Sequence, residues 1–441
     1  MTGSGLKRIL GLAFGLAVIV GTTLGVGILR APGLVAAQIS SPPVLLAAWV
    51  AGGLYTLLAA VCLAELGTML PEAGGYYVYA RHAFGDTAGF AVGWADWLTY
   101  CSVAGYVSIG IGEFSALLVP ALAPWIRFVA VAVLLALVAL QWAGLRVSSR
   151  FQEITTAAKF AAFVIVIGAA LAAIRPPEAP GSAAAAPLTI GGLIAALQAV
   201  VITYGGWQSA LYFTEEDRDP SRNLPRAMVG GVAAVIAVYA LVNLALLRAL
   251  PAAALARSTL PAADAAQALF GARGRVAITL LSLVSLPPLI NAIMMIGSRV
   301  LFAMGRDGLV WRRTAIVTAG GTPGPATLLT TAIAVGLIAT GTFQTLIAMT
   351  SFFLAANYAV CCAALIVLRR REPARPRPFR AWGYPWSAAL VLAGALAFLA
   401  GTVAGDPRTA AAALALVLAG LAGRTLNLRM RRRAAGRAAV T

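Results

Sequence analysis

Two stretches of this 441-residue chain put helix breakers in the middle of apolar runs, and their residue types define what chemistry they can do. The first is VIVGTTLGVGILRAPG, Val18 to Gly33, which holds Gly21, Gly25 and Gly27. The second is TYGGWQSALYF, Thr203 to Phe213, in which Tyr204, Gly205, Gly206 and Trp207 break an apolar run that includes Ile202. Each glycine costs a helix about 1 kcal/mol relative to alanine, so the clusters predict either an interrupted helix or a very close helix contact. An interruption frees backbone groups, which a bilayer tolerates only where they line a cavity or meet a ligand. Free N–H groups at the start of one half-helix attract a carboxylate, and free carbonyls at the end of the other attract an ammonium. An α-amino acid carries both. The competing reading is that the glycines only let helices pack closely, as on small-xxx-small faces.

Charged residues at depth are the next candidates. Lys159, in FQEITTAAKFAAFVIVIG, falls roughly nine residues beyond Arg150, about 13 Å along a helix. Its ammonium either faces the bundle interior, where it replaces a coupling cation or titrates during transport, or snorkels back to the surface. Desolvation disfavours a charged lysine, as a proton-linked step requires. The cluster EEDRDPSRNLPRAM follows the second break, so Glu215 and Glu216, with Gly206 and Trp207, are hinge and inner-gate candidates. Its carboxylates and arginines are expected to pair with one another, with Pro220 and Pro225 ending and restarting helices; the alternative is an ordinary solvated loop. Glu65 reads as a partner for arginines, Arg30 as facing the outer vestibule or snorkelling outward, and Asn243, Asn291 and Asn357 as interhelical hydrogen-bonders.

What must position these residues is a membrane-embedded helix bundle. The chain is 61% hydrophobic and 11% charged, with a mean hydropathy of +0.88, whereas soluble domains are about 25% charged. We count about twelve runs long enough to cross a bilayer, at 9–38, 43–70, 88–118, 124–144, 152–174, 190–214, 226–250, 275–304, 325–341, 344–368, 385–404 and 407–427. The opening run continues too far for a signal peptide and is kept as the first span. The connections around 175–189 and 251–274 are short and rich in Ala and Pro, so residues 1–441 read as a single transmembrane domain. Most of the 33 Lys and Arg fall on the side holding both termini, which places that side in the cytoplasm; Arg248, Arg257, Arg273 and Arg275 run against this trend. RRREPARPRPFR (Arg369 to Arg380) and the tail LRMRRRAAGR read as topology determinants and contacts to anionic lipids, not nucleic acid.

The four cysteines, Cys62, Cys101, Cys361 and Cys362, lie in apolar runs and read as small core residues. With a single His in the chain they offer no metal spacing, so neither metal nor cofactor is expected. No nucleophile and base pair falls at mid-depth either, and we expect no catalytic residues and no enzyme. The two breaks, in spans one and six, occupy equivalent places in two successive groups of five spans. That pairing points to a transporter built from inverted repeats.

Several stretches together resemble the amino acid, polyamine and organocation (APC) superfamily of permeases, close to its L-type amino acid transporters and their bacterial relatives. They are GTTLGVGIL, LAELGTMLPEAGGYYVYARHAFGDTAGFAVGW, TAAKFAAF, TYGGWQSALYFTEEDRDPSRNLPRAM, PPLINAIMMIGSRVLFAMGRDG and RPFRAWGYPW, spanning about residues 10–400. The resemblance implies the leucine-transporter fold, all-α with twelve transmembrane helices and discontinuous helices 1 and 6. Residues 9–174 and 190–368 would form the inverted five-helix repeats, and 385–427 two peripheral helices. It also implies that the N–H groups of Val26 and Gly27, after Gly25, hold a substrate carboxylate, and that carbonyls near Thr23, Ile202 and Gly205 hold the amino group. Lys159 matches the lysine that stands in these relatives for a sodium ion. Val26 replaces a hydroxyl residue common in the family, and Ile202 an aromatic residue that in several relatives closes over the substrate.

The expected function is secondary active transport of amino acids across the cell membrane, by proton symport or by exchange. The alternatives are a polyamine or organic-cation carrier, for which few acidic residues are seen at depth, and a non-transporting amino acid sensor, which would be expected to add a soluble signalling module. Eukaryotic members of the family pair with a single-span glycoprotein through a disulfide; no cysteine here falls in an outer loop, so no covalent partner subunit is expected.

Overall fold

The computed structural model describes residues 5–173, 188–341 and 343–438. Among them the chain is helical, with one isolated parallel bridge between Leu10 and Asp217. The helices in order are α1 (Leu12–Thr23), α2 (Val26–Ala36), α3 (Pro42–Met69), α4 (Tyr76–Phe84), α5 (Asp86–Leu118), α6 (Ile126–Trp142), α7 (Leu145–Ala172) and α8 (Ile190–Thr203). They continue as α9 (Pro220–Ala249), α10 (Ala252–Arg257), α11 (Pro261–Phe270), α12 (Ala272–Arg306), α13 (Gly324–Thr340), α14 (Phe343–Arg371), α15 (Trp386–Gly405) and α16 (Pro407–Ala438). A 3-10 segment, Trp207–Phe213, follows α8.

Every span expected from the sequence coincides with helical structure. Among the described residues nine helices are long and apolar enough to cross a membrane, or ten if α1 and α2, bent by 45° at their break, count as one. The sequence read residues 251–274 as a connection, whereas α10 and α11 occupy most of it; α4 lies between the second and third expected spans. The 175–189 connection lies almost wholly outside the described residues, as do the side chains of the C-terminal arginines.

Local sequence explains the element ends that matter for function. Pro42 and Pro220 start α3 and α9, where the missing N–H is an orphan in any case. Pro225 does not restart a helix as expected; α9 runs straight through it. Pro287 and Pro288 lie within α12 and remove two of its backbone bonds just beyond Ser285. The core has two main parts. The larger packs α1 against α3, α4, α5, α12 and α14, and the second gathers α2, α8, α9 and α11 around Trp49, Phe163 and Tyr239. Helix α6 turns Phe128, Leu135 and Trp142 outward, as a lipid-facing helix does. All four cysteines are buried and free.

Candidate functional site

The first break is an interruption, not a packing contact alone. Helix α1 stops at Thr23, Leu24 and Gly25 are extended, and α2 starts at Val26. A helix start leaves its first amides without intrahelical partners, and the amides of Gly25, Val26 and Gly27 meet no acceptor among the described residues. Val26 is half-buried and Gly27 exposed, whereas the residues just before Gly25 are buried. A Cβ on Gly27 would stand 3.4 Å from Thr203 Cγ2, so the start of α2 lies close against the end of α8.

The second break crosses the first. Gly206 has φ +120, and a Cβ there would lie 2.7 to 2.8 Å from the backbone of Thr22 and Thr23. Only glycine fits a left-handed backbone pressed this closely on another chain segment. Thr22 Oγ1 donates to the Gly206 carbonyl at 2.9 Å and lies 3.0 Å from Ser209 Oγ. The two predicted breaks therefore form one crossing point.

Lys159 reaches the first break from α7. Its side chain is fully buried, and its ammonium donates to the Gly21 carbonyl at 2.9 Å and to the Ser285 carbonyl of α12 at 3.1 Å. It faces the bundle interior, so the snorkelling reading is corrected. Gly21 makes this possible by letting α1 sit directly on Gln152 and Thr156 of α7.

The carbonyl side of the site differs from expectation. The hydroxyl of Tyr239, on α9, lies 2.7 Å from the Thr23 carbonyl and 2.9 Å from that of Thr203, bridging both breaks with one proton. The Ile202 carbonyl accepts from the Gly205 amide at 2.9 Å, and the Ile202 side chain is 41% exposed. Tyr204 points away from the crossing, donating to the Trp49 carbonyl of α3 at 3.1 Å.

Beyond the crossing the side chains pack closely. Trp207 packs on Tyr358 with ring centroids 5.5 Å apart. Glu216 is fully buried and receives two bonds from Arg299 of α12, at 2.8 and 2.9 Å. Glu215 accepts from Arg306, two turns along the same helix, at 2.8 Å and from the Ala73 amide at 2.9 Å. Sequence reasoning expected these carboxylates to pair with arginines of their own stretch; α12 supplies the partners instead. The solvated-loop alternative fails for Glu216, which no water reaches. Glu65 is likewise buried, clamped by Arg369, by Arg377 at 3.2 Å and by the Ala381 amide. Two arginines read as lipid contacts thus point inward. Arg30 lies over the Phe114 ring, 5.4 Å from its centroid. Asn291 and Asn357 bond across helices, to Gln152 and Asp96, whereas the Asn243 amide donates within its own helix to Tyr239.

A family model described as amino acid permease matches residues 10–421. The chain belongs to the amino acid permease family. Its motifs' resemblance to APC permeases, close to the L-type transporters and their bacterial relatives, is borne out. The serine/threonine exchanger SteT of Bacillus subtilis (strain 168) is 28% identical over 423 residues, covering 95% of this chain and 96% of that protein. The human large neutral amino acids transporter small subunit 2 is 30% identical over 390 residues, 86% of this chain and 73% of that one. The human b(0,+)-type amino acid transporter 1 is 29% identical over 391 residues, 84% and 78%.

Two buried residues, Tyr239 and Asp96, escaped the sequence reading. Tyr239 sits in an apolar helix with nothing local to mark it, whereas Arg299 is visible in the sequence, like Lys159, as a cation inside an apolar span, and only its pairing with Glu216 was not foreseen. Asp96, on α5, is 1% exposed, yet acidic residues at depth were judged scarce; its carboxylate inside an 18-residue apolar window was the available signal.

Proposed function

We propose that this permease exchanges amino acids across the cell membrane by alternating access around the crossing of its two breaks. The observation that carries the reading is the set of amides at Gly25, Val26 and Gly27 without an acceptor, at the point where the two breaks cross. The amides would bind the substrate carboxylate and the carbonyls of Thr23 and Gly205 its amino group, with Tyr239 yielding one of its two acceptors as substrate enters. Lys159 would hold the bent first span in register between α1 and α12. Gly206 and Trp207 would hinge the inner half of the sixth span, and the pairs formed by Glu215 and Glu216 would close it. The inverted repeats at 9–174 and 190–368, the peripheral pair at 385–427 and cytoplasmic termini complete the reading.

Exchange is favoured over symport because SteT, matched over almost the full length of both chains, is an exchanger by its printed name. Proton symport is the second reading. It draws on Lys159, whose ammonium is buried against carbonyls and, among the described residues, forms no ion pair with a carboxylate. Uptake of a radiolabelled amino acid panel into proteoliposomes separates the two. Uptake that requires unlabelled amino acid inside supports exchange, and accumulation driven by a proton gradient into empty vesicles replaces it with symport. Binding without uptake under either condition would favour a sensor.

A further inference from the structure

A second buried polar assembly lies on the inner side of the crossing, where α4, α5, α14 and the 3-10 segment meet. At its centre Asp96 Oδ2 accepts from the Tyr212 hydroxyl at 2.8 Å, and Asp96 Oδ1 stands 3.4 Å from Asn357 Nδ2. Tyr212 is packed edge-on to Tyr76 and Tyr100, with centroids 5.8 and 5.3 Å away. The titratable groups facing Asp96 are Tyr76 from α4, Tyr100 from α5, Tyr212 from the 3-10 segment, and Tyr358 and Cys361 from α14. None is charged near neutral pH. The cations of the other packed helices are engaged elsewhere. Arg299 and Arg306 of α12 hold Glu216 and Glu215, Arg369 of α14 holds Glu65, and Arg424 of α16 lies over Phe90. Among the described residues Asp96 has no ion-pair partner.

An isolated buried carboxylate is costly enough that it is neutralised unless paired. Tyr212 supplies a donor, and Asn357, with its amide turned, supplies an oxygen to accept a carboxylic proton. We propose that Asp96 is a proton-binding site coupled to the inner gate. It holds a proton while Tyr212 is docked and gives it up when the segment after Gly206 swings away. In that step the carboxyl O–H bond breaks, the proton passes to water admitted from the inner side, and the carboxylate stays solvated until the gate recloses. The proton then regulates opening at a group separate from Lys159. This rests on the alternating-access reading above, because it needs the 3-10 segment to move.

The prediction is that low pH on the inner side keeps the gate shut. Exchange by the wild type should slow several-fold as internal pH falls from about 8 towards the ordinary carboxylate range, and Asp96→Asn should flatten that profile while still binding amino acid. Tyr212→Phe, which loses the docked donor but keeps the ring, should shift the profile without abolishing it. An Asp96→Asn protein with the wild-type profile overturns the proposal. Infrared spectra of the wild type with 13C-labelled aspartate give a readout independent of transport and of whether the variant folds. A protonated carboxyl stretch that shifts with the label is expected near neutral pH, and its absence sinks the proposal. If the wild type moves no amino acid but shows that stretch, the transport reading fails and the proton site stands.

Discussion

The two breaks are built from similar residues and do different work. At the first, an ordinary α-helix follows the interruption, so its opening amides at Gly25, Val26 and Gly27 stay without an acceptor, and exposure rises from buried Gly25 through half-buried Val26 to exposed Gly27. At the second, a 3-10 segment follows and both glycine amides of the break are taken up locally. Gly205 N–H goes to Ile202, Gly206 N–H to the Gln208 side chain at 3.1 Å, and Ser209 N–H to Gly206. The first break leaves amide hydrogen-bonding capacity unmet and the second takes up its glycine amides locally; on the function proposed above, the first is the substrate cradle and the second the hinge of the gate. A pair of matched glycine clusters thus marks where the spans are interrupted, while the structure that follows each cluster decides which interruption keeps its amides open.

Substitutions on either side should break that contrast in a graded way. The largest effect is expected on the gate side, from Arg299→Ala. It strands a fully buried Glu216 carboxylate, so the protein should lose about 3–5 kcal/mol of stability. Thermal unfolding in detergent checks this, and the paired variant Arg299→Met with Glu216→Leu should recover much of the loss. Next, Gly206→Ala meets both a positive φ and the Thr22 backbone, and should lose about 1–3 kcal/mol along with transport. The equivalent change on the cradle side, Gly25→Ala, has extended backbone and nothing closer than Leu289 Cδ2 at 3.9 Å. It should leave the melting temperature unchanged; a comparable loss there would erase the distinction between the breaks.

Gly27→Val fills the gap towards Thr203 and should weaken amino acid binding about tenfold or more, equivalent to about 1.4 kcal/mol, with little change in stability. Scintillation proximity binding reads this directly, and unchanged affinity would place the cradle elsewhere. The smallest effect is expected from Tyr239→Phe, which removes a hydroxyl shared between the Thr23 and Thr203 carbonyls. About 1 kcal/mol of stability should go, while substrate affinity holds or rises because the substrate ammonium no longer competes for those carbonyls.

Much of this was legible in the sequence, for physical reasons. Apolar length marks spans in a bilayer, so every expected span falls on a helix, and mid-span glycines mark interruptions. Lys159 could be singled out because a cation that deep is expensive. What stayed hidden were pairings between distant segments. The partners of Glu215 and Glu216 were sought nearby, but the register of α12 brings Arg299 and Arg306 instead. Tyr204 looked like a site residue by position, yet it turns its hydroxyl to Trp49; Tyr239, which does reach the crossing, comes from a helix with no such marker. The 3-10 segment after Gly206 packs Trp207 on Tyr358 and Phe213 on Phe14, contacts between distant segments that no local pattern encodes.

The claim that the open amides of the first break bind a substrate carboxylate is tested most directly by competition. Exchange of a labelled neutral amino acid in proteoliposomes would be challenged with the same amino acid unlabelled, its methyl ester and the amine that lacks the carboxylate. The account predicts that only the intact amino acid competes well, with the ester and the amine weaker by tenfold or more, equivalent to about 1.4 kcal/mol. An amine that competes as well as the amino acid would contradict it and point to an organic-cation carrier.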